Sequence, residues 1–199
     1  MGSNGIEVTM NGKGQGNFDI SDNTPINHVK GNGLALSVFG QATVTGSIDN
    51  NAIVANNTFD SPGMAVGVDQ TFGASDAPLL NATISNNQIS QSQGNNLLAG
   101  ARNSSGTANL DILNNVVGAP TAGVRPGIRL DSGTPLASTD TAVCVSLTGN
   151  TSAGSGGHQG IGLRKEGTSA TVNTFNIEGM VATSSPGVEA YVVSQNLLG

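Results

Sequence analysis

The sequence predicts an all-β chain wound as a parallel β-helix solenoid of about six to seven coils. Three observations predict it. Two short motifs alternate along nearly the whole chain, copies of the first recur roughly every 27 to 33 residues, and the composition suits a narrow interior. A fixed period of about 20–50 residues is the mark of a solenoid, propeller or array. Only 10% of the 199 residues are charged and 3% are aromatic, with no Trp and one Tyr. An average domain carries about 25% charged residues. Such a chain must build its core from Val, Ile, Leu and Ala. Disorder is excluded as the alternative, because 36% of the residues are hydrophobic and the net charge is only −6, whereas disordered chains combine low hydrophobicity with high charge.

The first motif is Gly, apolar, any, apolar. In chain order it reads GIEV (5–8), GLAL (33–36), GMAV (63–66), a looser NLLAG (96–100), GIRL (127–130), GIGL (160–163) and GVEA (187–190). Period-2 alternation over so short a run predicts a strand, and the Gly marks a tight corner before it. The second motif is a strand ending in an Asn-centred turn. It reads FDISDNTPI (18–26), VANNTF (54–59), ATISNNQI (82–89), NLDILNNVV (109–117), VSLTGNTS (145–152) and FNIEGMV (175–181). Its aligned apolar position holds Ile20, Val54, Ile84, Ile112, Leu147 and Ile177. Three residues later stand Asn23, Asn57, Asn87, Asn115 and Asn150, with Met180 breaking the series. These five asparagines are expected to stack as one ladder, each side-chain amide bonding to the next coil. No window shows a capped 3.6-residue stripe, so helical repeats are not expected. Propeller blades are excluded because they need about four strands per 40–45 residues and aromatic signatures.

Stacking equivalent coils explains the composition. Each strand pairs with its counterpart one coil along, about 4.8 Å away, and like aliphatics pile up inside a tube. The repeat resembles the right-handed parallel β-helix family, the pectate-lyase-like superfamily in the broad sense. It is most similar to the Asn- and Gly-rich coils of bacterial secreted and autotransporter passenger proteins. The resemblance implies a single-stranded, right-handed tube over residues 1–199 and a secreted or cell-surface location. Residues 1–4 read as vector-derived, and the chain reads as a fragment of something longer that opens mid-repeat.

The residues exclude several classes of function. Seven basic residues spread along the chain give no stripe for phosphate backbones, so no nucleic-acid partner is expected. No apolar run is long enough for a bilayer span. The sequence holds no nucleophile elbow, zinc-protease helix or phosphate loop. His28 and His158 are isolated imidazoles, and no metal or other cofactor is expected. The single cysteine, Cys144, lies between apolar residues in TAVCVSL and reads as a buried core thiol.

The resemblance implies polysaccharide chemistry, so the parts of such sites matter. GGHQG (156–160) followed by LRK (163–165) is faintly similar to a glycoside-hydrolase set, but no adjacent Asp pair exists. Asp76 and Asp140, in the inserted loops around 71–80 and 134–140, are the candidate acids. One constellation emerges from stacking the last three Gly-led strands. It places Asp131, Arg164 and Tyr191 in one outward column with Arg129 and Glu189 beside it, a face suited to a sugar.

The expected function is therefore a structural and interaction segment, a rigid stalk or adhesive passenger, with a polysaccharide or host-surface glycan as partner and end-to-end self-association at the tube ends. The alternative is a carbohydrate-active β-helix, either a polysaccharide lyase or glycoside hydrolase, or a glycan-binding module like a phage tail spike.

Overall fold

A computed structural model describes residues 4–27, 30–57, 60–68, 76–102, 105–134, 140–167 and 173–199. The chain winds through three strands per coil. The first coil has β1 (Ile6–Met10), β2 (Gln15–Ser21) and β3 (Ile26–Asn27), and the second has β4 (Leu34–Val38), β5 (Thr43–Asp49) and β6 (Ala52–Val54). The third has β7 (Met64–Val68), β8 (Leu79–Ser85) and β9 (Gln88–Ser90), and the fourth has β10 (Leu97–Ala101), β11 (Thr107–Leu113) and β12 (Val116–Val117). The fifth has β13 (Ile128–Ser132), β14 (Ala142–Thr148) and β15 (Thr151–Ser152). The last has β16 (Ile161–Lys165), β17 (Thr174–Ile177), helix α1 (Ser185–Gln195) and β18 (Leu197–Leu198).

Equivalent strands pair in parallel to give three sheets of six strands each. Sheet A holds β1, β4, β7, β10, β13 and β16; sheet B runs from β2 to β17 and sheet C from β3 to β18. The chain is thus a single-stranded parallel β-helix whose six coils of strands make about five turns, close to the six to seven coils expected.

Register makes the core. On sheet A, Ile6, Leu34, Met64, Leu97, Ile128 and Ile161 form one inward column, and Val8, Leu36, Val66, Ala99, Leu130 and Leu163 form the next. On sheet B, Ile20, Ile48, Ile84, Ile112 and Leu147 stack, all buried. Identical shapes at one height keep the tube width constant, so branched aliphatics suffice and aromatics are dispensable. The exception supports the rule. Phe18 leans into the space above Gly46, where a Cβ would lie 2.7 Å from its ring.

The glycines of the first motif are required by close approach. A Cβ on Gly33 would come within 2.7 Å of the Gly63 carbonyl oxygen, and one on Gly160 within 2.1 Å of the Ser152 carbonyl oxygen. Asn96 takes this corner in the fourth coil and is buried. Its amide donates to the Gly118 carbonyl and its oxygen accepts from the Ser92 N–H.

The asparagine ladder is present, with one rung corrected. Asn23, Asn51, Asn87, Asn115, Asn150 and Asn196 form it, each Nδ2 donating to the Oδ1 of the next at 2.9–3.0 Å. Asn57 does not belong. It is buried at a different corner, where Nδ2 donates to the Ser61 carbonyl and Oδ1 accepts from the Gln93 N–H. Val54 likewise gives way to Ile48 in the aliphatic column. Two Asn-Asn pairs, 50–51 and 56–57, compete for the alignment, and both Asn50 and Asn56 take the left-handed conformation that marks such corners. Register decides for the first pair, because Ile48 pairs with Ile84.

GVEA is helical, which corrects the expectation of a strand there. Ser184 caps α1, its hydroxyl accepting from the Gly187 N–H, and a proline follows at the first turn. A Ser cap with an early Pro is a helix-start signature. Val188 and Val192 turn towards the core at a one-turn spacing. The helix lies across the end of the tube and leaves a cavity of about 730 Å³ lined by Leu163, Phe175, Val188 and Val192. No helix among the described residues is long and apolar enough to cross a membrane.

Cys144 also departs from expectation. Val143 and Val145 point inward and are buried, so Cys144 points out of sheet B and is half-buried. It stands in an outward column with Asn81, Asn109 and Asn176, and the Asn176 amide approaches its sulfur at 3.8 Å. Cys144 is therefore expected to react fully with a maleimide in native buffer. Labelling that requires denaturant would show that the thiol faces inward.

Candidate functional site

The strongest concentration of charge lies on the outer face of sheet A across the last three coils. Strand alternation sends Leu98, Gly100 and Arg102 outward from the fourth coil. Register aligns them with Arg129, Asp131 and Gly133 of the fifth coil and Gly162, Arg164 and Glu166 of the sixth. Asp131 is the centre of this three-by-three grid.

Asp131 faces outward yet is fully buried. Three arginines cover it. Arg129 donates from Nε to Oδ1 at 2.9 Å, and Arg164 donates from Nε to Oδ1 at 3.0 Å and from Nη2 to Oδ2 at 2.9 Å. Arg102 Nε lies 3.2 Å from Oδ2 as an ion-pair contact. Arg164 also reaches Glu166, with Nη1 2.8 Å from Oε2. Three positions of the grid are glycines, which leaves room for the arginine stems to fold over the carboxylate. A Cβ on Gly100, whose φ is +133°, would lie 2.0 Å from the Asp131 carbonyl oxygen.

Burying a carboxylate is costly unless it is paired and hydrogen-bonded, and here it is paired three times. Burial of the Arg164 guanidinium works against its charged form. The hydrogen bond and charge of Asp131, then those of Glu166, outweigh that effect and raise its proton affinity above the ordinary range. The grid holds three cations and two carboxylates, a local excess of +1 in a chain of net charge −6.

Sequence reasoning brought Arg129, Asp131 and Arg164 together, and the structure does the same. It does not bring Glu189 and Tyr191 to them as an outward column. Both lie on α1, where the Tyr191 hydroxyl donates to the Glu178 carbonyl at 2.7 Å. Arg102 was missed. Registering NLLAG strictly against GIRL would have revealed it, because the outward position two residues beyond Gly100 is Arg102.

Beside the grid, towards the N-terminal coils, the outer face of sheet A carries a shallow depression of about 70 Å³. Its floor includes Gly67 and Gly100, and Ser37, Ala65, Leu98 and Arg102 stand around it. His158, by contrast, is exposed on its loop with Nδ1 near the Gln159 carbonyl at 3.3 Å; His28 lies outside the described residues. Among the described residues, no group of three His, Cys, Asp or Glu side chains is placed to hold a metal ion. Asp76 and Asp140 precede β8 and β14, strands two coils apart in sheet B. Residues 71–75 and 135–139 of the two inserted loops lie outside the described residues.

No protein-family model, curated protein or solved structure matches the chain. The fold and the grid therefore define it by their own physics: a parallel β-solenoid that, among the described residues, carries an organised charged patch on the outer face of sheet A.

Proposed function

We propose that this chain is a structural and interaction segment of a bacterial secreted or cell-surface protein, of the autotransporter-passenger kind, that holds a glycan-contacting face on a rigid rod. The observation that supports this best is the six-rung ladder from Asn23 to Asn196, whose four inner rungs are buried. It ties every coil to the next along one corner, as rigidity at a distance requires. A stiff wall keeps outward side chains at fixed spacings, and grid residues from three coils then act as one surface. The pectate-lyase-like resemblance raises the rival reading of an enzyme on acidic polysaccharides.

One experiment separates the two. The chain is incubated with pectin, alginate and other polyuronates, with and without Ca²⁺, and probed in parallel on a glycan array. Retention of glycans without new reducing ends or unsaturated products is the expected result. Turnover of any of these polymers would replace the stalk reading with the enzymatic one.

A further inference from the structure

We infer that the C-terminal end of the tube, under α1, is a binding site for a long-chain fatty acid, with the alkyl tail in the cavity and the carboxylate at Lys165. The inference goes beyond the proposed function, because it concerns the end of the rod and not its wall.

The site follows from how the inward columns end. In sheet A, Leu36, Val66, Ala99 and Leu130 are buried, but the last member of their column, Leu163, is only partly so. In sheet B, Val44, Leu80, Ala108 and Val143 are buried, and Phe175 at the end of that column is again only partly covered. A further coil would cover them; α1 does so only in part. The corner that a further coil would use is already taken, since Asn196 donates to the Val192 carbonyl of α1. Yet an α-helix is a rod about 10–12 Å across, and α1 meets the core through Val188 and Val192. What it leaves uncovered is the cavity of about 730 Å³ between the helix and the last coil. Small-molecule sites usually hold about 300–1,000 Å³.

The lining selects the ligand. Ile161, Leu163, Phe175, Ile177, Val192 and Leu198 make it mainly apolar. A peptide would bring a backbone N–H and C=O with each residue, and these need partners that such walls do not supply. An alkyl chain needs none. Lys165 marks where a head group belongs. The third inward column of sheet A runs through Val38, Val68, Ala101 and Ser132, all buried, and ends in Lys165. A lysine thus stands at an inward register position, lines the cavity and stays exposed at its edge. Arg164, another cation of the lining, is committed to Asp131 and Glu166. Glu189 lines the helix side and repels an anion there, which leaves Lys165 as the anchor. A carboxylate accepts a charge-assisted hydrogen bond from its ammonium, and the tail contributes through burial.

The test titrates the chain by calorimetry, below micelle-forming concentrations, with octanoate, decanoate and dodecanoate. Dodecanol and dodecylamine serve as the uncharged and cationic tails. The expected result is saturable binding of the fatty acids that tightens about fourfold for each added methylene until the cavity is full. Dodecanoate should bind about tenfold tighter than dodecanol or dodecylamine, the worth of one charge-assisted hydrogen bond. Lys165→Met keeps the stem without the charge; it should weaken dodecanoate about tenfold and leave dodecanol unchanged. Lys165→Arg should retain dodecanoate binding. Val193→Glu, at an exposed position on the cavity wall, should weaken both tails. Lys165 and Val193 are exposed, so these variants are expected to keep the melting temperature of the wild type. Equal affinity for acid, alcohol and amine, or wild-type binding of dodecanoate by Lys165→Met, overturns the carboxylate site. Affinity independent of tail length, or absence of binding, overturns the cavity as its place. A wild-type dimer in light scattering that Val193→Glu abolishes, without fatty-acid binding, assigns the tube end to a second copy and overturns the proposal as well. The glycan array judges the interaction-segment reading separately, so the failure of one leaves the other standing.

Discussion

Asn87→Leu is expected to destabilise the chain by about 3 kcal/mol, a fall in melting temperature of about 6–12 °C for a chain of this size. Asn87 is fully buried in the middle of the ladder. Its Oδ1 accepts from both the backbone N–H and the side-chain Nδ2 of Asn51, and its Nδ2 donates to the carbonyls of Ile48 and Ser85 and to Asn115. Leucine has nearly the same size but satisfies none of these. Each orphaned buried group costs about 1–3 kcal/mol, and the added apolar burial offsets about 2 kcal/mol. Thermal melts with Asn86→Gly as the control isolate the effect. Asn86 is exposed with φ of 56°, a conformation glycine adopts freely, so the control should move by less than about 1 kcal/mol. Equal melting temperatures for wild type and Asn87→Leu would mean that the ladder does not hold the tube.

Asp131→Asn is expected to cost a similar amount, about 3 kcal/mol, for an opposite reason. Here a charge is withdrawn from among three cations, and the amide nitrogen that replaces one carboxylate oxygen can no longer accept from the arginine donors facing it. Breaking a buried ion pair usually costs about 3–5 kcal/mol, and the lower end applies because the guanidiniums are partly exposed and can swing into water. The signature that identifies the mechanism is salt. Repulsion among Arg102, Arg129 and Arg164 is screened as ionic strength rises, so the deficit of the variant should shrink in high salt while that of Asn87→Leu persists. A salt-independent deficit would point to lost packing at Asp131 instead.

Much of the architecture was legible because a solenoid repeats its evidence. Each Gly-led strand up to GIGL appears where the motif placed it, and four of five proposed rungs are correct. The errors have physical origins. Asn56-Asn57 mimics Asn50-Asn51 so closely that local pattern cannot choose between them; only the pairing of Ile48 with Ile84 does. GVEA satisfies the strand motif, but Ser184 and the proline after it set a helix start, and a helix then buries Val188 and Val192 at the spacing of one turn. Cys144 looked internal because its neighbours are apolar, although strict alternation with Val143 and Val145 already sends it outward. In the site, Arg129, Asp131 and Arg164 were legible as a stack. Their convergence on one buried carboxylate was not, because it depends on where long side chains fold once neighbouring glycines leave room.

The ladder also has a direction. Every rung donates Nδ2 towards the next and offers Oδ1 to the one before, from Asn23 to Asn196. At Asn196 the carbonyl of Val192 in α1 takes the amide proton that another rung would otherwise accept. Each coil thus presents the same socket behind and the same plug ahead, and a coil is an interchangeable part. Duplicating a stretch such as 87–114 adds one rung without new chemistry at either joint. The tube is in this sense a molecular ruler graduated in steps of about 4.8 Å, and tandem duplication or deletion of single coils can tune its reach while the interior, the corner and the closing helix stay unchanged.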